Sequence, residues 1–389
     1  MNKFPYIAAL ALSAAAMTSC ESIYDDRSDC VTGIQLHFVH DYHMEPGANS
    51  FPANVDCISV YVFDKDGNYL AQYKETSENL ANEDYRMVLP LTDGEYHLLV
   101  YGGMACEDRA FEWNADNLWG TDVSISPDSR SGFISDLLVN LPLDSEGVSR
   151  KKLHDMVDRT GGLFYGFQWR AKGEKQWITP EVNGDIQITV DNKDYGTTFT
   201  EYDVNLMKDT NNIQVILQEV STPYQIDYND YEFYIYDDNF RLDGFNRKVS
   251  VATDNYKPCY RPYSAENRIA GFVDAMHYNG AQIWEDDEIP VQVACVEFST
   301  SRLFVDNLDT ARLVIKSKES GRSVIDVPLI TYLCLIRGMG YNWIRSDQEF
   351  LDRQSNWNLM FFLQNGAWLN TRIAVNAWIV RLDNINLGI

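Results

Sequence analysis

Three histidines lie within seven residues, His37, His40 and His43 in HFVHDYH, and imidazole is the commonest protein ligand for a transition metal. On an extended strand, residues 37 and 43 face one side and residue 40 the other. The three cannot meet one ion unless the chain bends, so no metal site is expected there. Asp64-Lys65-Asp66-Gly67-Asn68 resembles the opening of a calcium loop, with Lys74, Glu75 and Thr76 in the region where the closing glutamate falls. It reads instead as the turn of a hairpin. Asp25-Asp26, Asp237-Asp238 and Glu285-Asp286-Asp287-Glu288 supply carboxylates. Glycoside hydrolysis needs two carboxyl groups about 5–9 Å apart across a cleft, which neighbours on a solvated turn do not define. Trp284, Trp343, Trp357 and Trp368 would stack on sugars if exposed, but packing is the plainer use of such residues in β structure. The chain has no G-x-S-x-G, no H-E-x-x-H and no P-loop, and Gly338-Met339-Gly340 is an isolated G-x-G. Neither catalysis nor a bound cofactor is expected.

The chemistry that does stand out is at the start. Lys3 is followed by an apolar stretch from Tyr6 to Met17, roughly twelve residues, the length of a signal-peptide core and too short to span a bilayer. Met17-Thr18-Ser19-Cys20 resembles a bacterial lipobox, which places cleavage between Ser19 and Cys20 and a covalent lipid on Cys20. One acyl chain holds a protein to a membrane marginally, whereas two or more hold it stably. Glu21, Asp25, Asp26 and Asp29 follow at once. They read as an export address for the cell surface or as a charged spacer.

No other stretch is long and apolar enough to be a spanning helix. The net charge of −25 argues against nucleic acid, whose phosphates require Lys and Arg. Apart from Cys20 the cysteines are Cys30, Cys57, Cys106, Cys259, Cys295 and Cys334, none in a C-x₂-C pair. Their pairing stays open, although Cys295 and Cys334 sit in apolar runs that suit core thiols.

The elements that carry these residues are strands. Ile58, Val60 and Val62 alternate with Ser59, Tyr61 and Phe63, and the acidic turn leads into Tyr69-Leu70-Ala71, a hairpin. Met87-Val88-Leu89 and Tyr96 to Tyr101 flank Thr92-Asp93-Gly94 as a second hairpin, with Pro90 marking an edge strand. Residues 311–316 and 324–327 form a third, and Trp378, Val380 and Leu382 share one face of a last strand. The best helical pattern is Arg150 to Arg159. A faint repeat relates Gly33–Phe38 and CISVYVFDKDGNYL to Asn212–Leu217 and YEFYIYDDNFRLDG. Two similar β-sandwiches in series account for it. The chain then divides into a signal peptide (1–19), a lipidated acidic tether (20–30), an N-terminal domain (31–209) and a C-terminal domain (210–389).

An ordered series covers nearly the whole chain: the lipobox cysteine, DDRSDC, VYVFDKDG and DGEYHLLVYGG, then VEFSTSRLF, ARLVIKSKESGRSVIDVPLITYL, QEFLDRQSNWNLMFFLQ, WLNTRIAVNAWIVRL and Asn384-Ile385-Asn386-Leu387. This series resembles the FimB-like fimbrial anchor family of Gram-negative anaerobes. The resemblance implies an all-β fold of two transthyretin-like Greek-key β-sandwich domains. It also implies a non-enzymatic role at the base of a fimbria (pilus), lipid-held in the outer membrane and exposed at the cell surface. The partners implied are a fimbrial shaft subunit, joined by β-strand complementation, and outer-membrane lipid. Shaft subunits of such systems are cut by an arginine-specific protease near their first strand, which opens a groove for a neighbour's strand. Here residues 41–85 contain no arginine, and a cut at Arg27 would sever only the tether. The first strand, expected at Val31 to His40, is therefore expected to stay. Trp378, Val380, Leu382, Ile385 and Leu387 are the candidate partner-facing residues. A surface glycan-binding lipoprotein and a tip or adhesin subunit of the same system are the rival readings.

Overall fold

The computed structural model describes residues 33–45, 47–76, 78–103, 111–113, 132–141, 148–149, 162–168, 181–191, 199–222, 225–250, 252–253, 257–274, 288–375 and 378–383. Among these the chain is built almost wholly of strands. In the first half they are β1 (Ile34–Val39), β2 (Ile58–Asp64), β3 (Tyr69–Glu75), β4 (Met87–Leu89), β5 (Gly94–Gly103), β6 (Phe111–Trp113), β7 (Leu137–Asn140), β8 (Val148–Ser149), β9 (Leu163–Phe167), β10 (Ile186–Val190) and β11 (Thr200–Lys208). In the second half they are β12 (Thr210–Glu219), β13 (Tyr231–Tyr236), β14 (Arg241–Asp243), β15 (Cys259–Tyr260), β16 (Ser264–Asp274), β17 (Glu288–Ser301), β18 (Arg312–Ser317), β19 (Ser323–Pro328), β20 (Asn356–Gln364), β21 (Ala367–Val375) and β22 (Trp378–Asp383). The all-β reading holds.

The strands form an eight-stranded sheet in the order β3-β2-β5-β9-β11-β1-β4, with β10 also paired to β5. A six-stranded sheet runs β16-β17-β12-β20-β21-β22, a five-stranded sheet β19-β18-β13-β15-β8, and a three-stranded sheet β14-β7-β6. Side-chain alternation decides what each face buries. In β2, Val60 and Val62 join Ile34, Leu36 and Phe38 of β1 in one core. Tyr61 and Phe63 point the other way, into a larger core shared with Val215, Val296, Leu313 and Trp357. A strand buried on both faces reads as a continuous apolar run, as ISVYVFD does.

The expected hairpins at β2–β3 and β18–β19 are present as antiparallel pairs. The second expected hairpin is not. β4 pairs with β1, and β5 lies between β2 and β9. Pro90 does follow an edge strand, because β4 ends the sheet order. The repeat also diverges after its aromatic strands. β3 folds back on β2, whereas β14 leaves β13 and pairs with β7. β15 pairs in parallel with β8. Two pairings thus join strands from either side of position 210, where only Asp209 separates β11 from β12. The helical pattern at Arg150–Arg159 lies outside the described residues.

A helix at Asp347–Arg353 went unpredicted, although its signal is in the sequence. Ser346 accepts a hydrogen bond from the Glu349 amide, and Asp347 and Glu349 at the start with Arg353 at the end suit the helix dipole. Among the cysteines, Cys295 and Cys334 are free thiols, pushed up to about 11 and about 12 by burial, and Cys259 is likewise outside any disulfide. Cys57 is disulfide-bonded to a residue outside the described set. The Gly103 amide donates to the Cys57 carbonyl at 3.0 Å, three residues before Cys106. Cys30 precedes β1, whose first residues lie at the other end of the same sheet. Non-reducing peptide mapping should recover Cys57 linked to Cys106; a Cys57–Cys30 peptide would refute this.

Candidate functional site

The first strand is the element on which an assembly role turns. β1 lies inside its sheet, parallel to β11 over six residue pairs and antiparallel to β4 over three. Ile34 and Leu36 are fully buried, and Phe38 stacks on Phe51 with ring centroids 5.5 Å apart. Gly33 sits at φ +137°, where an added Cβ would fall 1.9 Å from the Leu89 carbonyl oxygen. The start of β1 therefore requires glycine. On the opposite face, His37 Nδ1 meets Asp203 Oδ1 of β11 at 2.9 Å. Beyond β1, Arg353 lies 4.1 Å from the centroid of the buried Tyr42 ring and donates to the His43 carbonyl at 3.3 Å. The exit of the first strand is thereby held by the helix Asp347–Arg353.

The three histidines do not gather around one point. A bend after β1 brings the His40 and His43 rings to 5.2 Å, while His37 remains on the strand. His40 donates from Nδ1 to the Leu206 carbonyl, and burial lowers its pKa to about 3. His43 bonds the Ala48 carbonyl through Nε2. The group that could hold an ion is a different one, His37 with Glu201 and Asp203, whose ligand atoms lie within 4.8 Å of one another. Its members already have partners, His37 with Asp203 and Glu201 with Arg86 at 2.9 Å. At the acidic turn, Asp64 accepts from the Asn68 side-chain amide and from the Asn68 and Asp66 backbone amides, which holds its carboxyl below the usual range. Glu75, twelfth in a loop counted from Asp64, lies at the far end of β3 opposite Ile58, so the segment closes a hairpin rather than an ion site. Of the four tryptophans, Trp357 is in the core, Trp368 packs against Phe361 and Tyr332, Trp343 is exposed, and Trp284 lies outside the described residues.

Sequence reasoning missed the buried polar junction between the two halves. Arg302 of VEFSTSRLF is 2% exposed and makes a bidentate pair with Asp352, both bonds 2.8 Å. Its remaining nitrogen donates to Asn183 and to the Asn246 carbonyl, each at 2.7 Å. Asn246, at φ +59°, donates to Asp209 at 3.3 Å. Burial pushes Asp209 up to about 7, against the pull of Arg302, and burial likewise pushes Asp237 up to about 7. Both bind a proton more readily folded than unfolded, so stability is highest below about pH 4 for these groups and falls as pH rises toward 7. Each contributes a slope of up to about 1.4 kcal/mol per pH unit. Melting curves from pH 5 to 8 should show the midpoint falling, and Asp209→Asn should flatten the decline. An unchanged slope would contradict the assignment.

The remaining candidates concern the chain ends. Ser19, Cys20, Ile385 and Leu387 lie outside the described residues. Trp378, Val380 and Leu382 fall on β22, which pairs with β21 and ends the six-stranded sheet. Through Ile373 and Thr371, register places positions 380 and 382 on the sheet face that carries Leu359 and Phe361. No strand pairs with the outer side of β22 among the described residues. The opposite edge of this sheet is β16.

Comparison with known proteins agrees with this architecture. The model of the family described as fimbrillin-A associated anchor proteins Mfa1 and Mfa2 matches residues 27–384. An adhesin candidate from Bacteroides thetaiotaomicron is 32% identical, with 92% of this chain and 99% of that chain covered and a TM-score of 0.67. A candidate polysaccharide-binding protein from the same organism is 27% identical, covering 90% and 98%, with a TM-score of 0.64. The fimbrial anchor protein Mfa2 from Porphyromonas gingivalis shares the fold at 15% identity, covering 90% and 99%, with a TM-score of 0.55. No protein of curated function matches the sequence. With the match spanning all but the two ends, the chain belongs to the family of fimbrillin-A associated anchor proteins.

Proposed function

We propose that this chain is the lipid-anchored base of a fimbria, held in the outer membrane through Cys20 and joined to a shaft subunit by strand complementation. The observation that carries the reading is the integration of β1. Taking Ile34, Leu36 and Phe38 out of their core would cost about 1.5–3 kcal/mol each, or about 5–9 kcal/mol together. That is comparable with the whole net stability of an ordinary domain, about 5–15 kcal/mol. The strand cannot leave on its own, and residues 41–85 offer no arginine at which a protease could detach it. A subunit that keeps its first strand does not expose the groove through which shaft subunits polymerise, so growth stops at it. The unpaired outer side of β22 supports the C-terminal segment as the side offered to the shaft.

The test joins mass spectrometry to cell fractionation. The mature membrane-bound protein should begin at acylated Cys20 and retain residues 31–40. Cys20→Ser should move it out of the membrane fraction and release fimbriae into the medium, with cell-attached filaments falling at least about ten-fold. A mature start beyond residue 40, or undiminished attachment in the Cys20→Ser strain, would overturn the reading.

A further inference from the structure

We infer that β16 is a second strand-docking edge, at the opposite end of the six-stranded sheet from β22, and that it takes an extended segment of another fimbrial subunit. The identity of that partner rests on the function proposed above; the site does not. β16 is eleven residues long, SAENRIAGFVD, and among the described residues it pairs only with β17. Among described residues, Ile269 at 64% and Phe272 at 60% are the most exposed large apolar side chains.

Register explains why these two lie together. Ile269 pairs with Gln292 and Phe272 with Pro290, with a shift between Ile269 and Gly271 that leaves Ala270 as the extra residue. Without this bulge, positions 269 and 272 would face opposite sides. With it, both share the face that carries Ala294, Val296 and Phe298, which is the core face of the sheet. The core face therefore continues onto the edge strand. A loop covers it as far as Asn267 and Gln292, through Tyr228 N to Asn267 Oδ1 at 3.0 Å and Gln292 Nε2 to the Ile226 carbonyl at 2.6 Å. Beyond that point no described residue covers Ile269, Phe272 and the exposed Pro290.

An unpaired backbone edge beside an open apolar face fits an extended chain, which supplies ladder hydrogen bonds and alternate apolar side chains together. The strand has no Lys or Pro, and its charged residues Glu266 and Arg268 lie on the face opposite Ile269 and Phe272. Charge selects among occupants. The other face of β16 presents Glu266 and, beside it, Glu297, with Arg268 bonded to both. This leaves a local excess of negative charge. Two copies of a chain with net charge −25 repel, so the occupant is a different subunit with apolar residues at alternate positions and basic residues between them.

The test uses the full-length lipoprotein in detergent and fimbriae sheared from the same bacterium. Ile269→Lys/Phe272→Lys should bind these fimbriae at least about ten-fold more weakly than wild type, with an unchanged melting temperature, since both side chains are exposed. A photo-crosslinking residue at position 272 should join an extended segment of a fimbrial subunit. If the double variant binds as wild type does, the β16 assignment fails and the anchor reading stands. Crosslinks to a second copy or to another segment of this chain also overturn it. If wild type itself does not bind fimbriae, the anchor reading fails and takes the named partner with it.

Discussion

Arg302→Ala is expected to destabilise the protein by about 3–5 kcal/mol, because it strands the buried Asp352 carboxylate without its cation. Among the described residues Asp352 would keep only the Gln348 amide as a side-chain donor, at 2.8 Å, and Asn183 and the Asn246 carbonyl would each lose a charged donor. The loss should appear as a fall in melting temperature on the order of 10 °C. Since these groups come from residues 183, 246, 302 and 352, proteolysis should become faster on both sides of position 210. The double variant Arg302→Met/Asp352→Leu should recover much of the loss, because removing both charges lifts the penalty of an unpaired one. A single variant that melts like wild type would mean the pair contributes nothing net.

Phe38→Ala is expected to cost about 3–5 kcal/mol by opening a cavity against Phe51 in the smaller core. The consequence reaches beyond stability. Phe38 is the last inward residue of β1, so its loss loosens the strand at the end clamped by Tyr42 and Arg353. Hydrogen exchange at residues 34–39 should accelerate more than at β17 or β20, which belong to the other core. Equal acceleration everywhere would show that β1 opens only with global unfolding. Retention of the first strand would then depend on the whole fold rather than on its own contacts.

Much of the local structure was legible because strand signals are short-range. Alternation in β1, β2 and β18, and the Asp-x-x-Gly-Asn turn with Gly67 at φ +86°, need only neighbouring residues to be read. Errors came where a strand has a choice of partners. Met87–Leu89 and Tyr96–Tyr101 look like a hairpin locally, but β4 finds its partner in β1 about fifty residues earlier. β14 likewise follows an acidic turn as β3 does, yet pairs with β7 some hundred residues away. The histidine cluster shows the same limit at the level of sites. Spacing drew attention to His37, His40 and His43, but register set His37 beside Glu201 and Asp203, and a parallel pairing cannot be inferred from one strand alone.

By itself the sequence determined the signal-like start with its candidate lipidation at Cys20, the all-β class, the family series and the absence of arginine from residues 41–85. These depend on residue type, order and short periods, which the chain carries in one dimension. Only the tertiary structure decided that β1 is sealed between β11 and β4 and that Arg302, oriented by Asp352, bonds Asn183 across the junction of the two halves while Asn246 bonds Asp209. It alone decided that a bulge at Ala270 turns Ile269 and Phe272 onto one open face. Each of these joins residues far apart in the chain or hangs on a one-residue register, and a single residue of slip sends a side chain to the opposite face of its sheet.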